Sequence, residues 1–413
     1  MKRLASLLKH LSMNKLKIAV YLDADYKPQV GGGFSYASKL VELIDQYSFD
    51  EQIEIVFISE SKLGAHSFSK SFLHIPKNQF ISECWTFGKK LRLKISSLLP
   101  AGTKMMKETI AELQSAINSK VVSFLNDNSI DLVYYLKPES NPYDTPYIMT
   151  HWDLGHKTMF AFPESTQEGN FEKREKYHRI ELQKAFAIFT ESETSIDELV
   201  FHERIDKSRM FVLPLMPGKV VGMDVSEAMQ SDILKKWSLE NDQFYFYPAQ
   251  FWAHKNHYAL VQAFALVSQK KPNVKLVLSG SDKGNKKYIE QLVSKLNLSE
   301  KVLFVGFISD EEVFALYKNA IALVMPTLLG PTNMPLLEAH ALGCPVLCSN
   351  LPGHQKQMGN KATYFDPINP SDIAEKMSGT ILRHAAYEDT TKYGQILNDH
   401  FIKLLPVRRT FGH

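Results

Sequence analysis

Two parallel α/β domains facing each other across a cleft are the architecture predicted by this 413-residue sequence. Three observations carry that expectation. Apolar runs of β-forming residues alternate with helix-length amphipathic segments almost throughout, the pattern of parallel strands joined by crossover helices. The alternation weakens once, through MPGKVVGMDVSEAMQ after Pro214, and then resumes. The length exceeds what one ordinary core fills and suits two. The chain therefore divides into a first Rossmann-like domain over 1–218, a second over 219–385, and a C-terminal segment over 386–413 crossing back to the first.

Buried parallel strands read as short, nearly continuous apolar runs. In the first half KIAVYLD, EIVFIS, DLVYYL, PYIMTH, AFAIFTES and MFVLPL are of this kind, with helices at Ser35–Tyr47 and Thr103–Asn126. In the second half FYFYPAQ, VKLVLSG, VLFVGF, IALVMP, PVLCSN and ATYFDP are strands. Helices fall at Tyr258–Gln269, Lys286–Leu296, Asp310–Lys318, Met334–Leu342 and Asp372–His384. In such folds ligands settle at the carboxyl ends of the strands.

Composition narrows the function classes. With 44% hydrophobic and 23% charged residues the chain is an ordinary globular protein. A net charge of +3 gives no argument for a nucleic-acid partner. No run approaches the roughly 18 apolar residues of a membrane-spanning helix. Cys84, Cys344 and Cys348 are spaced for neither a disulfide framework nor a zinc site, which fits a reducing cytoplasm. The N-terminus MKRLASLLKHLSMNKLK places Leu4, Leu7, Leu8 and Leu11 on one helical face with its lysines mostly off it. That helix lies either on the cytoplasmic face of an anionic inner membrane or against the domain it precedes. Trp85 to Lys107, basic and interleaved with apolar residues, is a second candidate for an anionic surface.

Candidate chemistry clusters at strand ends. Asp23-Ala-Asp25 closes the first strand, and Gly31, Gly32 and Gly33 precede a helix whose start favours an anion or hydroxyl-rich group. Asp-x-Asp also suits a divalent ion, but no third ligand is evident, so plain strand-end carboxylates are the stronger reading. His151, Trp152, Asp153 and His156 follow a later strand, and Phe162, Pro163 and Glu164 extend that dense region. Gln250 to Asn256 follows another strand and opens a helix, where Lys255 and free N–H groups suit a diphosphate. Asn256 is placed as its N-cap. Ser279 and Gly280 end the next strand and can pass under a nucleotide. The richest stretch runs from Pro326 to Val346. There Gly330, Asn333, Met334 and Pro335 open a helix, and Glu338 stands a turn inward among apolar neighbours, partly buried and in need of a partner.

These residues resemble glycosyltransferase family 4, whose fold is GT-B, most closely from Phe244 to Met377. The match rests on FYPAQFWAHKN, LVLSGSD, VLFVGFIS, LVMPTLLGPTNMPLLEAHALGCPVLCSN and ATYFDPINPSDIAEKM. In the first half HWDLGH, FPE and TESETSIDEL carry it more loosely. The resemblance implies sugar transfer from a nucleoside-diphosphate donor to a saccharide or lipid-linked acceptor, with retention and without a metal or other cofactor. The setting it implies is bacterial surface polysaccharide or lipopolysaccharide assembly. It further implies that Lys255 neutralises the leaving diphosphate, that Asn333, Met334 and nearby amides hold sugar or phosphate, and that Glu338 grips the ribose. Gly31 to Gly33 would lie near the diphosphate and acceptor, and a histidine of the HWDLGH segment would touch the donor sugar. A phosphate oxygen would take the acceptor's proton.

Three positions depart from the family pattern. Gly330 stands where a sugar-contacting Glu is usual, Gln250 where an Arg is, and Trp152 where a His is. His151 and His156 are therefore both candidates for the donor contact. An epimerase on the same fold and a non-catalytic nucleotide-sugar binder are the alternatives.

Overall fold

The computed structural model describes residues 15–23, 32–62, 68–86, 88–89, 102–138, 142–379 and 391–408. The first sheet comprises β1 (Leu16–Tyr21), β2 (Ile53–Ser59), β3 (Ser71–His74), β4 (Leu132–Tyr135), β5 (Tyr147–His151), β6 (Ala187–Thr190) and β7 (Met210–Val212). All pairings are parallel, in the order β3-β2-β1-β4-β5-β6-β7. The second comprises β8 (Phe244–Pro248), β9 (Lys275–Ser279), β10 (Val302–Gly306), β11 (Ala322–Met325), β12 (Val346–Ser349) and β13 (Thr363–Phe365). It too is parallel, in the order β10-β9-β8-β11-β12-β13. Both orders run outward from the first strand in one direction and then reverse. The reversal, between β1 and β4 in one sheet and β8 and β11 in the other, is where such sheets open a crevice.

The helices used below are α1 (Gly32–Gln46), α2 (Gly102–Asp127), α3 (Asn170–Lys176), α4 (Glu193–Glu203), α5 (His257–Lys270), α6 (Asp310–Asn319), α7 (Met334–Ala341), α8 (Pro352–Met358) and α9 (Thr391–Arg408). Side-chain alternation along β1 shows how helices come to cover both faces of the first sheet. Ile18 and Val20 point to one face and pack with Leu40 and Ile44 of α1 and Leu397 and Phe401 of α9. Ala19 points to the other and packs with Val121 and Leu125 of α2. The C-terminal helix α9 thus completes the first domain's core. It is also tied to the turn before β2, where Asp50 N–H donates to Asn398 Oδ1 at 2.8 Å. Fully burying an aromatic such as Phe401 is worth about 1.5–3 kcal/mol. The second domain buries a single contiguous core that includes Phe246, Phe264, Val277, Leu323 and Leu336.

β3 has no counterpart in the sequence reading, because a four-residue, partly exposed edge strand carries too little periodicity to register. Helix ends follow local chemistry more faithfully. Asn256 caps α5, its Oδ1 accepting Ala259 N–H at 3.3 Å, and Ser309 with Glu312 forms a reciprocal capping box on α6. All three cysteines are buried free thiols. Among the described residues no helix is long and apolar enough to cross a membrane. The N-terminal amphipathic stretch up to residue 14, Asp25, Gly31 and most of the basic stretch after Trp85 lie outside the described residues.

Candidate active site in the interdomain cleft

A cleft of about 560 Å³ lies between the domains, beneath the carboxyl ends of β5 and β6 on one side and of β8, β9 and β11 on the other. On the second domain's wall Lys255 projects from the single 3₁₀ turn Ala253–Lys255 after β8. Its Nζ donates to Asn333 Oδ1 at 3.3 Å. Because an ammonium can only donate, the Asn333 amide orientation follows, and its Nδ2 faces His354 Nε2 at 2.8 Å. That nitrogen is then the acceptor, so the His354 proton sits on Nδ1 and is donated to the Ser349 carbonyl at 2.9 Å. Burial lowers the pKa of His354 to about 4, which keeps the ring neutral and the relay in one arrangement.

The loop before α7 is tied equally firmly. Leu328 N–H donates to the His254 carbonyl at 2.8 Å, and Asn256 Nδ2 donates to the Pro326 and Pro367 carbonyls at 3.1 and 2.7 Å. Gly330 has φ +123°, where a side chain is strained, and a β-carbon there would stand 2.6 Å from Asn333 Nδ2. A larger residue at this position would therefore dislodge the amide that holds Lys255. At the start of α7, Asn333 N–H is already bonded to Gln357 Oε1 at 2.9 Å, and Pro335 has no N–H. The helix start thus offers a ligand fewer amides than its sequence implies. Gln250, Ser279, Gly280, Met334 and Pro335 complete this wall.

Burial lowers the Lys255 pKa to about 8, with Asp153 and Glu164 opposing the shift. The group is thus a desolvated cation short of counter-charge, suited to a phosphate. Glu338 lies behind the cleft wall and is not one of the residues lining it. Its Oε1 accepts Gly218 N–H from the interdomain segment at 3.2 Å, and its Oε2 accepts the Tyr317 hydroxyl at 3.1 Å. Burial raises its pKa to about 7 against these two donors.

The first domain's wall differs from the sequence reading. Asp153 lines the cleft, and Arg174 of α3 donates to its Oδ1 at 2.7 Å and to its carbonyl at 2.8 Å. Burial works to raise its pKa, yet Arg174 and the Gly155 N–H outweigh that and hold the carboxyl well below the usual carboxylate range. His151 is fully buried at the end of β5, and neither ring nitrogen has a hydrogen-bond partner. Burial takes its pKa down to about 3. His156 is also fully buried, its Nε2 3.0 Å from Glu175 Oε1, and burial lowers its pKa to about 4. Both rings pack on His178 inside the first domain, and neither lines the cleft. Strand alternation accounts for this at His151, which ends β5, while His156 stands on the helical turn Gly155–Thr158. Successive side chains point to opposite faces, so the ring at the cleft is that of Trp152, set edge-on to Tyr36 at 6.0 Å. Gly32 and Gly33 open α1, while the loop before them lies outside the described residues.

Sequence reasoning left out Glu191 and Arg174 as cleft residues, and named Glu164 only as part of the stretch from Phe162 to Glu164. Glu191 follows β6 immediately and faces Thr332 of the opposite domain; burial pushes its carboxyl well above the ordinary range. Glu164 bridges the domains, accepting His254 N–H at 2.9 Å and lying 2.6 Å from His254 Nδ1. A carboxylate one step past a strand end was the available signal for Glu191. Arg174 had none, since it arrives from a helix outside any motif.

Fold and cleft together define a GT-B protein, two parallel-sheet Rossmann-like domains with a site between them. Residues 229–396 match the family model described as glycosyl transferases group 1. The serotype-specific mannosyltransferase WbdA of Escherichia coli is 27% identical over 218 residues, covering 51% of this chain and 26% of that protein. The chain thus aligns with only about a quarter of that relative's length. Two solved structures share the fold over most of both chains. WaaG, a glycosyltransferase involved in lipopolysaccharide biosynthesis, has a TM-score of 0.58 at 17% identity, covering 87% of this chain and 89% of its own. Anabaena HepE in complex with UDP and glucose has a TM-score of 0.59 at 17% identity, covering 94% and 95%.

Proposed function

We propose that this protein is a retaining, metal-independent glycosyltransferase that moves a sugar from a nucleoside diphosphate to a saccharide or lipid-linked acceptor in bacterial surface polysaccharide or lipopolysaccharide assembly. The observation that carries this reading is Lys255. It is a desolvated cation held by a neutral amide, beside a helix start and in a cleft large enough for a nucleotide sugar. Such a group stabilises charge as a diphosphate leaves, and it does so without reorganising. It also supplies the positive charge that a metal would otherwise bring. Glu338 uses two of the roughly four lone-pair directions of a carboxylate on Gly218 and Tyr317, leaving two for ribose hydroxyls. The first domain's wall, with Asp153, Glu191 and Trp152, receives the acceptor. Similarity to a named mannosyltransferase and to a lipopolysaccharide enzyme supports the biological setting.

The test is transfer and donor hydrolysis with UDP-, GDP- and dTDP-sugars, with and without chelator, followed by assignment of the anomeric configuration of the product. Transfer with retained configuration that survives chelation is expected. Loss of activity with chelator would overturn metal independence, and an inverted product would overturn retention. Conversion of the donor sugar without any acceptor would instead indicate an epimerase, and nucleotide binding without turnover a non-catalytic binder.

A further inference from the structure

The strand-order reversal of the second sheet, between β8 and β11, opens into the cleft. The first sheet has its own reversal between β1 and β4, and crevices at such points are where ligands bind in these folds. A separate cavity of about 440 Å³ lies there, lined by Tyr21, Asp23, Glu60, Lys77, Lys137 and Tyr143.

The lining pairs its charges. Lys77 Nζ donates to both oxygens of Glu60 at 2.6 Å, and the Tyr143 hydroxyl donates to the same carboxylate. Lys137 pairs with Asp23. Among the described residues the lining carries two ammonium groups and two carboxylates, a balanced set that favours neither an anion nor a cation. All four side chains keep roughly a quarter to a third of their surface exposed, 36% and 26% for Lys77 and Glu60, 28% and 36% for Lys137 and Asp23. Ion pairs this wet contribute little to stability. The rings of Tyr21 and Tyr143 meet edge-on at 6.2 Å and supply an apolar wall.

Alternating donors and acceptors over an aromatic wall match a neutral polyol, since each sugar hydroxyl both donates and accepts while its C–H face packs on a ring. A phosphate or uronate would meet as many carboxylates as ammonium groups and gain nothing. We propose that this cavity is a subsite for a neutral sugar unit of the acceptor, set back from the hydroxyl that receives the new residue. The proposal rests on the glycosyltransferase reading and extends it. β1 stands two strand spacings from β5, about 10 Å, so the cavity would read a sugar one or two units behind the growing end. The acceptor is then an oligosaccharide and not a single sugar.

The test is saturation-transfer NMR on the full chain with neutral glucose-, galactose- and mannose-containing mono- to trisaccharides. Glucuronate and mannose 6-phosphate serve as charged counterparts, and UDP and GDP are titrated in parallel. Glu60→Gln breaks one ion pair. Gln114→Trp sits on an exposed α2 position of the lining and narrows the mouth without touching either pair. A neutral di- or trisaccharide should bind the wild type and bind each variant at least tenfold more weakly, with nucleotide affinity unchanged within twofold. Equal saccharide binding by wild type and both variants, no saccharide binding by the wild type, or tighter binding of the charged sugars would overturn the proposal. Saccharide binding lost in both variants, with their circular dichroism and melting transition like the wild type's, supports it; absent nucleotide binding by the wild type counts against the transferase reading alone.

Discussion

On the second domain's side of the cleft, Lys255 and the residues that hold it are fixed within that domain. Lys255 is held by Asn333, Asn333 by His354 and Gln357, and His354 by Ser349. On the first domain's side the carboxylates are anchored differently. Asp153 is held by Arg174 of its own domain, but Glu164 reaches His254 and Glu191 faces Thr332 on the other domain. One wall is therefore built before the domains meet, and the other is completed by their closure. The donor's diphosphate should accordingly depend on single residues of the prebuilt wall. Effects on the opposite wall should spread between binding and closure.

The largest expected effect breaks the prebuilt wall at its centre. Lys255→Met should lower turnover by about 10²–10³-fold, the range seen when one preorganised charge-stabilising group is lost. Steady-state kinetics on the best donor would show it, and a loss below fivefold would remove Lys255 from the reaction. Acidity gives a milder version. With a pKa of about 8, the ammonium is charged below that pH and lost above it. Nucleoside-diphosphate affinity should therefore fall about tenfold between pH 7 and pH 9, since the cation is a tenth populated one unit above its pKa. Lys255→Arg should flatten the profile. A wild-type affinity that rises over this range would contradict the assignment.

Glu338→Gln separates function from stability just behind that wall. Its amide oxygen can accept Gly218 N–H and its nitrogen can donate to Tyr317 Oη, so the packing survives. Nucleotide affinity should drop about five- to tenfold, the value of a hydrogen bond to a charged acceptor. Stability should move the other way. The folded carboxyl binds its proton more tightly than the unfolded one, so stability is lost as pH rises from 4.5 to about 7 and stays lost above it. The glutamine variant lacks that loss and should melt about 2–4 °C higher at pH 8. Isothermal titration and calorimetry read the two halves separately. Unchanged nucleotide affinity would take the ribose away from Glu338.

Legibility in the sequence follows the same division. The second wall is written in short motifs, because close backbone approach, a helix start and a lone cation each need a particular residue at a fixed step from a strand. Lys255, Asn333, Met334 and Pro335 could be named for that reason. Both sheets were visible for a similar reason, since buried parallel strands announce themselves as apolar runs. The first wall is written in side-chain direction. Whether His151 or Trp152 faces the cleft depends on which face of β5 is turned to the core, and one residue of register exchanges them. Arg174 arrives from α3, about twenty positions away, with no local sign of its partner Asp153. Glu338 was correctly expected to need partners, but Gly218 and Tyr317 are long-range contacts that no spacing encodes.

Glu164→Ala tests whether the first wall relies on closure. It removes the acceptor for His254 N–H across the cleft without touching Lys255. The donor KM should rise about two- to threefold, as expected for one hydrogen bond at a partly wet interface. Small-angle scattering should show a larger radius of gyration, with isolated nucleotide affinity nearly unchanged. An equal fall in nucleotide affinity would show that closure and nucleotide binding are one event, and the two walls would no longer differ in kind.

The smallest expected effect is at the histidine that the strand end seemed to offer. His151 sits in the first domain's interior with two unpartnered ring nitrogens, and burial keeps it neutral at any pH the protein would meet. Replacing such a group by an apolar one of similar size removes polar atoms whose desolvation nothing offsets, a change that is neutral or stabilising. His151→Leu should therefore alter kcat and KM by less than twofold, and its melting temperature should match or exceed that of the wild type. The comparison with Trp152→Ala sharpens this, because the indole next in sequence does line the cleft. A hundredfold fall in kcat for His151→Leu, with the fold intact, would mean that the ring reaches the cleft in the working state. The first wall would then rearrange on binding, beyond what closure alone achieves.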